Sequence, residues 1–171
     1  DGLVNASSKR EASNLLALIK ACLNYNQRDL ELRLFLIWLL LEFGHKKEAK
    51  SEMNLIEKFE DYYSSYKEYP LILILKGILN KDTSSISVVF DDIDESSTWL
   101  ELLAKARYTA SRNSRYSYYK MLYAKGVRRS FLFAEVTSLL NQLPIIPDDN
   151  DELYIITLKW AFNKKGISSS W

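Results

Sequence analysis

Residues 29–44 of the sequence read DLELRLFLIWLLLEFG and contain its longest apolar run, the eight residues from Leu34 to Leu41. Asp29 is a residue type that accepts hydrogen bonds from the first turn of a helix, and Gly44 is the type that ends a helix in the left-handed conformation. Between them, apolar side chains cover almost the whole circumference of a helix. Because a membrane-spanning helix needs roughly 20 such residues, the stretch predicts the buried central helix of a globular domain.

The composition also favours an all-α fold. Of the 171 residues, 47% are hydrophobic, whereas only five are glycine and three are proline. Scarce turn residues disfavour a β-sandwich and favour long helices. The length fits a single domain over residues 1–171. Because the first residues, DGLVN, provide neither an initiating methionine nor a signal peptide, we expect a piece of a longer protein.

Helical periodicity and capping patterns predict about eight helices along the chain. Capping boxes at Ser8–Glu11 and Thr98–Glu101 begin two of them. On the first helix, the inner face is predicted to carry Leu15, Leu18, Ile19 and Cys22. The polar stretch 80–97 is predicted to be the main irregular connection, in which residues 86–90 form a short helix or an extended piece. The predicted helices begin near residues 8, 29, 46, 70, 98, 115, 130 and 150.

Part of this pattern resembles a known family of helical repeats. Three predicted helices end at a glycine, namely Gly44, Gly126 and Gly166. Residues 32–59, with Gly44 at the turn and Ala49 where the second helix approaches the first, resemble a tetratricopeptide-type unit, and residues 116–143 resemble a second one. The resemblance implies antiparallel helix pairs stacked as a short right-handed, solenoid-like helical repeat. It also implies a scaffold that binds a protein or a peptide.

Charge is distributed unevenly along the chain. The whole sequence has 23 basic and 22 acidic residues, yet residues 103–133 contain eight basic residues and no acidic one. This stretch therefore has a net charge of +8 and the remainder one of −7. Such an asymmetry can attract an anionic partner. The basic residues, which define what we call the basic segment (residues 105–129), are Lys105, Arg107, Arg112, Arg115, Lys120, Lys125, Arg128 and Arg129.

Five tyrosines lie within the basic segment, at positions 108, 116, 118, 119 and 123. Mixed basic and aromatic side chains can anchor a protein interface, or bind phosphates while stacking on bases. If one helix ran through this region, Tyr108, Arg112, Arg115 and Tyr119 would share a face. Alternatively, the tyrosines are core-edge residues and the cations pair internally with acidic loops such as 91–95. The candidate partner-binding residues are Arg107, Tyr108, Arg112, Arg115, Tyr119, Lys120 and Tyr123.

Catalytic and metal-binding constellations are not recognisable in the sequence. His45 and Cys22 are the single residues of their types, and neither has an orienting carboxylate and a nucleophile at a recognisable spacing. The acidic runs 91–95 and 148–152 lack the spacing of a calcium loop and are explained by helix capping. We therefore expect no enzyme activity, no metal and no cofactor in these residues, although an enzyme completed by other parts of a longer chain stays open.

The sequence thus predicts a scaffold for a protein or peptide partner, which the basic segment would bind if that partner is acidic. A nucleic-acid-binding module that uses residues 105–129 is the alternative. It ranks lower because no reader motif is present and the total net charge is only +1. One unpaired cysteine is typical of a reducing compartment, so we expect a cytoplasmic protein without a membrane span. The oligomeric state is not predicted by the sequence.

Overall fold

The computed structural model describes residues 2–58, 69–144 and 146–164, apart from the side chains of residues 2–8 and Thr83. Within these ranges there is no strand, which confirms the predicted all-α fold. A short 3-10 helix covers Phe90–Asp92. The nine α-helices of the described ranges are α1 (Gly2–Tyr25), α2 (Leu30–Glu42), α3 (Lys46–Lys58), α4 (Pro70–Asn80), α5 (Thr83–Val89), α6 (Trp99–Tyr108), α7 (Arg112–Ala124), α8 (Ser130–Leu140) and α9 (Glu152–Lys164).

Neighbouring helices pack in pairs, of which α2 with α3, α6 with α7, and α8 with α9 make the most extensive contacts. Short turns join the first two pairs, so their members run antiparallel. By its contacts the chain divides into two compact units, which we call unit 1 (Asp1–Ile86) and unit 2 (Ser87–Trp171). The single domain over residues 1–171 stays a prediction. The tyrosine-rich stretch 62–66 and the predicted helix end at Gly166 lie outside the described residues.

In unit 1 the core forms around α2, as predicted. Asp29 caps this helix by accepting a hydrogen bond from the Leu32 N–H at 2.9 Å, and Leu36, Ile37 and Leu40 are completely buried. Gly44 ends the helix with a φ of +79°, a left-handed conformation in which glycine is favoured. The turn brings α3 back against α2 through Ala49, which is also completely buried.

Two predictions about α1 are wrong. The helix begins at Gly2, so Ser8–Glu11 is not its N-terminus. Of the four residues predicted for the inner face, only Ile19 is buried, together with Leu16 and Leu23, whereas the other three, Leu15, Leu18 and Cys22, are exposed. The reason is that α1 carries two apolar stripes one residue apart, and periodicity alone does not decide which of them contacts the core.

The stretch 80–97, predicted to be the main irregular connection, contains α5 and the 3-10 helix, so of the two alternatives for residues 86–90 the structure has the short helix. Pro70 is the first residue of α4, as predicted, and Lys81 ends that helix in the left-handed conformation with a φ of 57°. The Asp82 carboxylate then accepts hydrogen bonds from Ser84 and Ser85, and α5 follows. Ile86 of α5 is buried against Gly77 of α4, which explains why a sequence with weak periodicity is helical here.

In unit 2 the elements are set by local capping. Thr98 and Glu101 form the predicted capping box at the start of α6. Gly126 ends the turn after α7 with a φ of +92°, and Asp151 caps α9 by accepting a hydrogen bond from the Tyr154 N–H at 3.2 Å. The completely buried side chains of this unit include Leu102 of α6 and Leu132 and Val136 of α8.

Candidate interaction surface

The basic segment belongs to unit 2 and covers the end of α6, all of α7 and the turn into α8. Thr109 has an extended backbone, and Ser111 caps α7 by accepting a hydrogen bond from the Ser114 N–H at 3.4 Å. Tyr108 therefore lies on α6, whereas Arg112 lies on α7. The predicted shared face of one helix is wrong in this respect, because the break occurs at residues 109–111, before Arg112.

Three tyrosines of α7 point inward. Tyr116, Tyr119 and Tyr123 are spaced by three and four residues, so they share one helix face, and all three are buried. Their hydroxyls donate hydrogen bonds to Asp151 at 3.0 Å, Glu135 at 2.7 Å and Glu152 at 3.0 Å, respectively. These tyrosines attach α7 to α8 and α9.

The environment of these phenols favours the neutral form. Burial raises the pKa of Tyr116 and Tyr119 above the ordinary value of 10.0, and the adjacent carboxylates add to this effect. Burial and the hydrogen bond to Glu152 likewise raise the pKa of Tyr123. Burial alone would raise the pKa of Asp151, but hydrogen bonds, of which that from Lys120 is the strongest, lower it overall.

Two cations of the basic segment form ion pairs with the same carboxylates. The Arg107 Nε donates to both oxygens of Glu135, at 3.0 and 3.2 Å, and Lys120 Nζ lies 2.8 Å from Asp151 Oδ2. Glu135 and Asp151 thus each accept a hydrogen bond from one tyrosine and form an ion pair with one cation. In this part of the segment the structure has the internal pairing that the sequence left as an alternative.

Other cations of the segment donate to backbone carbonyls or lie over aromatic rings. Arg112 Nη1 donates to the Gln142 carbonyl at 3.2 Å, and Arg115 donates to the Thr109 carbonyl. Arg128 lies over the Tyr123 ring at 3.3 Å from its centroid. Lys105 donates to the Ile93 carbonyl at 2.6 Å and lies 4.7 Å from the centroid of the Tyr118 ring. Arg115 and Lys105 therefore stabilise the fold rather than a solvent-facing surface.

The turn between α7 and α8 differs from the rest of the basic segment in that two of its cations are exposed and lack an internal partner among the described residues. Lys125 and Arg129 are exposed, and their side chains form no hydrogen bond or ion pair within the part of the chain that the structure describes. Arg129 is also the N-cap of α8, without a side-chain cap, and no acidic residue lies in the first turn of that helix. Positive charge is thus concentrated at a helix end that itself favours anions.

Two of the acidic partners, Asp151 and Glu152, lie in the run 148–152, for which the sequence predicts helix capping, whereas the third, Glu135, was not predicted. Glu135 is on α8, Glu152 is the first residue of α9, and Asp151 precedes and caps that helix. One signal could have indicated Glu135, because it is the single charged residue of α8.

The acidic loop 91–95 is the example of an internal partner that the sequence suggests. In that loop Asp94 accepts hydrogen bonds from Ser96, and Lys105 of the basic segment donates to the Ile93 carbonyl. The Ser96 hydrogen bonds and, to a smaller extent, the charge of Lys105 lower the pKa of Asp94.

Residues considered for chemistry in unit 1 are exposed. His45 Nδ1 lies 3.9 Å from Glu48 Oε1 at the surface, and Cys22 faces solvent instead of the core position predicted for it. Within the described ranges no three His, Cys, Asp or Glu side chains are grouped as metal ligands would be. A groove of about 560 Å³ between α1, α2 and α3 is lined by both cations and anions, including Lys20, Arg33 and Glu52.

The described residues form an all-helical fold of paired helices, with an exposed cationic turn between α7 and α8. Residues 4–171 match the model of DUF5717, a family of unknown function, in its N-terminal part, and the chain belongs to that family. The search of curated proteins found no match, and the search of solved structures found none either. Among the helices of the described ranges, none combines the length and the hydropathy that a membrane span requires.

Proposed function

We propose that this domain is a non-catalytic scaffold of the tetratricopeptide-like kind, which binds an acidic segment of a partner protein in the cytoplasm. The observation that carries the proposal is the exposed pair Lys125 and Arg129 at the turn between α7 and α8. Their charges are not neutralised by a described residue, so an acidic peptide can pair with them without first displacing an internal partner.

Few cations lack a partner among the described residues, which favours a protein partner over nucleic acid. Nucleic-acid binding depends on many simultaneous phosphate contacts. Arg107 and Lys120 are already paired with carboxylates, and Arg128 lies against Tyr123. A short cationic surface suits a few carboxylates of a peptide better than it suits a continuous phosphate backbone.

The first experiment reverses the charge of this turn. In the Lys125→Glu/Arg129→Glu variant, affinity for a fluorescein-labelled peptide of about ten glutamates should fall by about tenfold at low salt, because attraction becomes repulsion. Fluorescence anisotropy measures the affinity, and circular dichroism checks the fold. Arg115 and Tyr119 are unsuitable for this test because they bond within unit 2.

A matched control is the Lys46→Glu/Lys47→Glu variant, which makes the same charge change at exposed positions of α3 in unit 1. It should retain most of the peptide affinity. Equal weakening in both variants would mean that the peptide responds only to net charge, and the proposal would fail. Tighter binding of an oligothymidylate than of the peptide, lost in the variant of residues 125 and 129, would replace the protein partner by nucleic acid.

A further inference from the structure

The groove between α1, α2 and α3 lies in unit 1 and is independent of the basic segment. Its volume of about 560 Å³ falls within the roughly 300–1,000 Å³ that small-molecule sites have. The lining residues of α2 are buried, whereas most of those of α1 and α3 reach the surface, so α2 forms the floor. Leu23, Leu36 and Leu55 offer apolar contacts in this groove.

Charges of both signs line the groove, and each sign comes from its own side. The cations are Lys20 of α1 and Arg33 of α2, and the anions are two glutamates of α3. They form two ion pairs, Lys20 with Glu48 at 2.8 Å and Arg33 with Glu52 at 2.5 Å. A ligand with a carboxylate and an ammonium can pair with both sides at once, whereas a simple anion or a simple cation can pair with only one.

Arg33 is the least expected of these charges, because it is buried. A buried ion pair is seldom more stable than apolar side chains of similar volume, so the stability of the fold does not explain it. Moreover, Arg33 Nε is buried and donates to no acceptor in the described chain, although nearly all buried donors in proteins are paired. Charged groups kept in a cleft at such a cost are typical of binding sites.

We propose that this groove binds a small zwitterion of the α-amino-acid class. The ligand carboxylate pairs with Lys20 and with the Arg33 guanidinium, the ammonium pairs with Glu48, and the side chain packs on the leucines. Lys20 and Glu48 are 46% and 51% exposed, and an exposed ion pair contributes little stability. Both side chains can therefore turn from each other toward the ligand at a small cost.

Two-dimensional amide NMR spectra of the whole chain, recorded with up to about 20 mM L-leucine, test the proposal. For so small a ligand we expect a dissociation constant of about 1 mM, with the largest shifts at groove residues. 4-Methylpentanoate lacks the ammonium of leucine, and 3-methylbutylamine lacks its carboxylate. Each should bind at least about tenfold more weakly, because it leaves one side of the groove without a counter-charge.

Two pairs of variants locate the site. Lys20→Ala should weaken L-leucine binding about tenfold, since it removes a charge-assisted contact with the carboxylate, whereas Lys50→Ala, at an exposed position of α3 outside the groove, should bind normally. Ser51→Trp fills the groove from an exposed position and should abolish binding. Asn54→Trp places the same side chain on α3 outside the groove and should have no effect.

Circular dichroism checks that each variant keeps its fold. The absence of shifts with L-leucine over the whole concentration range overturns the proposal. Equal affinity for 4-methylpentanoate or 3-methylbutylamine also overturns it, because the groove would then recognise one charge and not a zwitterion. Binding that is unchanged in both Lys20→Ala and Ser51→Trp would place the ligand elsewhere and likewise contradict the assignment.

Discussion

At the scale of single residues, Arg33 of α2 connects this helix to α3 through an ion pair with Glu52. Arg33 is only 7% exposed. Its Nη1 bonds to Glu52 Oε2 of α3 at 2.5 Å, and its Nη2 donates to the Gln27 carbonyl at 2.9 Å. Because a guanidinium stays charged even when buried, Glu52 is needed to balance it.

Glu52→Gln should therefore destabilise the protein by about 2 kcal/mol, since it leaves a buried cation without its anion. Urea unfolding measures the change. Glu48→Gln, one turn earlier on α3, is the control. It breaks the Lys20–Glu48 pair, whose side chains are 46% and 51% exposed, and should cost less than about 0.5 kcal/mol. Equal costs would show that the burial of Arg33 has no energetic consequence.

At the scale of elements, Gly77 allows α5 to pack closely on α4. A Cβ added to Gly77 would collide with Ile86 Cγ1 and lie 3.0 Å from the Asp82 carbonyl oxygen. No positive φ requires glycine at this position, unlike Gly44 and Gly126. The glycine is thus explained by the contact between the two helices.

The sign of the change in unfolding free energy caused by Gly77→Ala tests this close contact. In the interior of an ordinary helix this change stabilises by about 1 kcal/mol, whereas here overpacking should destabilise by about 1 to 3 kcal/mol. Thermal or urea unfolding measures the difference. In an Ile86→Ala background most of the penalty should disappear, because the colliding side chain has been shortened. A stabilised Gly77→Ala protein would disprove close packing of α5 on α4.

At the scale of the whole molecule, the near-neutral net charge conceals a concentration of positive charge in the basic segment of unit 2. The net charge is +1, and two cations of the basic segment, Arg107 and Lys120, pair with Glu135 of α8 and with Asp151, the residue before α9. The tyrosine hydroxyls bond to these two carboxylates and to Glu152. The stability of this arrangement therefore depends on phenols that stay protonated.

Stability should fall as the pH rises above about 10, the ordinary pKa of tyrosine. The folded-state pKa of Tyr116, Tyr119 and Tyr123 is raised, so their contribution is complete below the unfolded-state pKa and is lost above it. Urea unfolding between pH 8 and pH 11 should show a smaller loss for Tyr119→Phe than for the unmodified protein, since its phenol no longer titrates. Identical pH profiles would exclude a contribution from Tyr119.

Much of the fold follows from short stretches of sequence. The cap at Asp29, the capping box at Thr98 and Glu101, the turns at Gly44 and Gly126, and the buried run in α2 were all predicted. Each depends on residues within one or two helical turns of each other. For this reason the all-α class and most helix positions could be derived from the sequence.

The face of α1 that is buried, the helix at residues 83–89 and the partners of the basic segment were decided only by the tertiary structure. The carboxylates that bind Arg107, Lys120 and the three tyrosines lie 16 to 35 residues away along the chain. Periodicity and charge counts describe the faces of a single helix. Whether a side chain on such a face is buried, or its charge neutralised, depends on which other helix packs against it. Pairing between distant helices thus determines which cations stay exposed, and with them the candidate interaction surface.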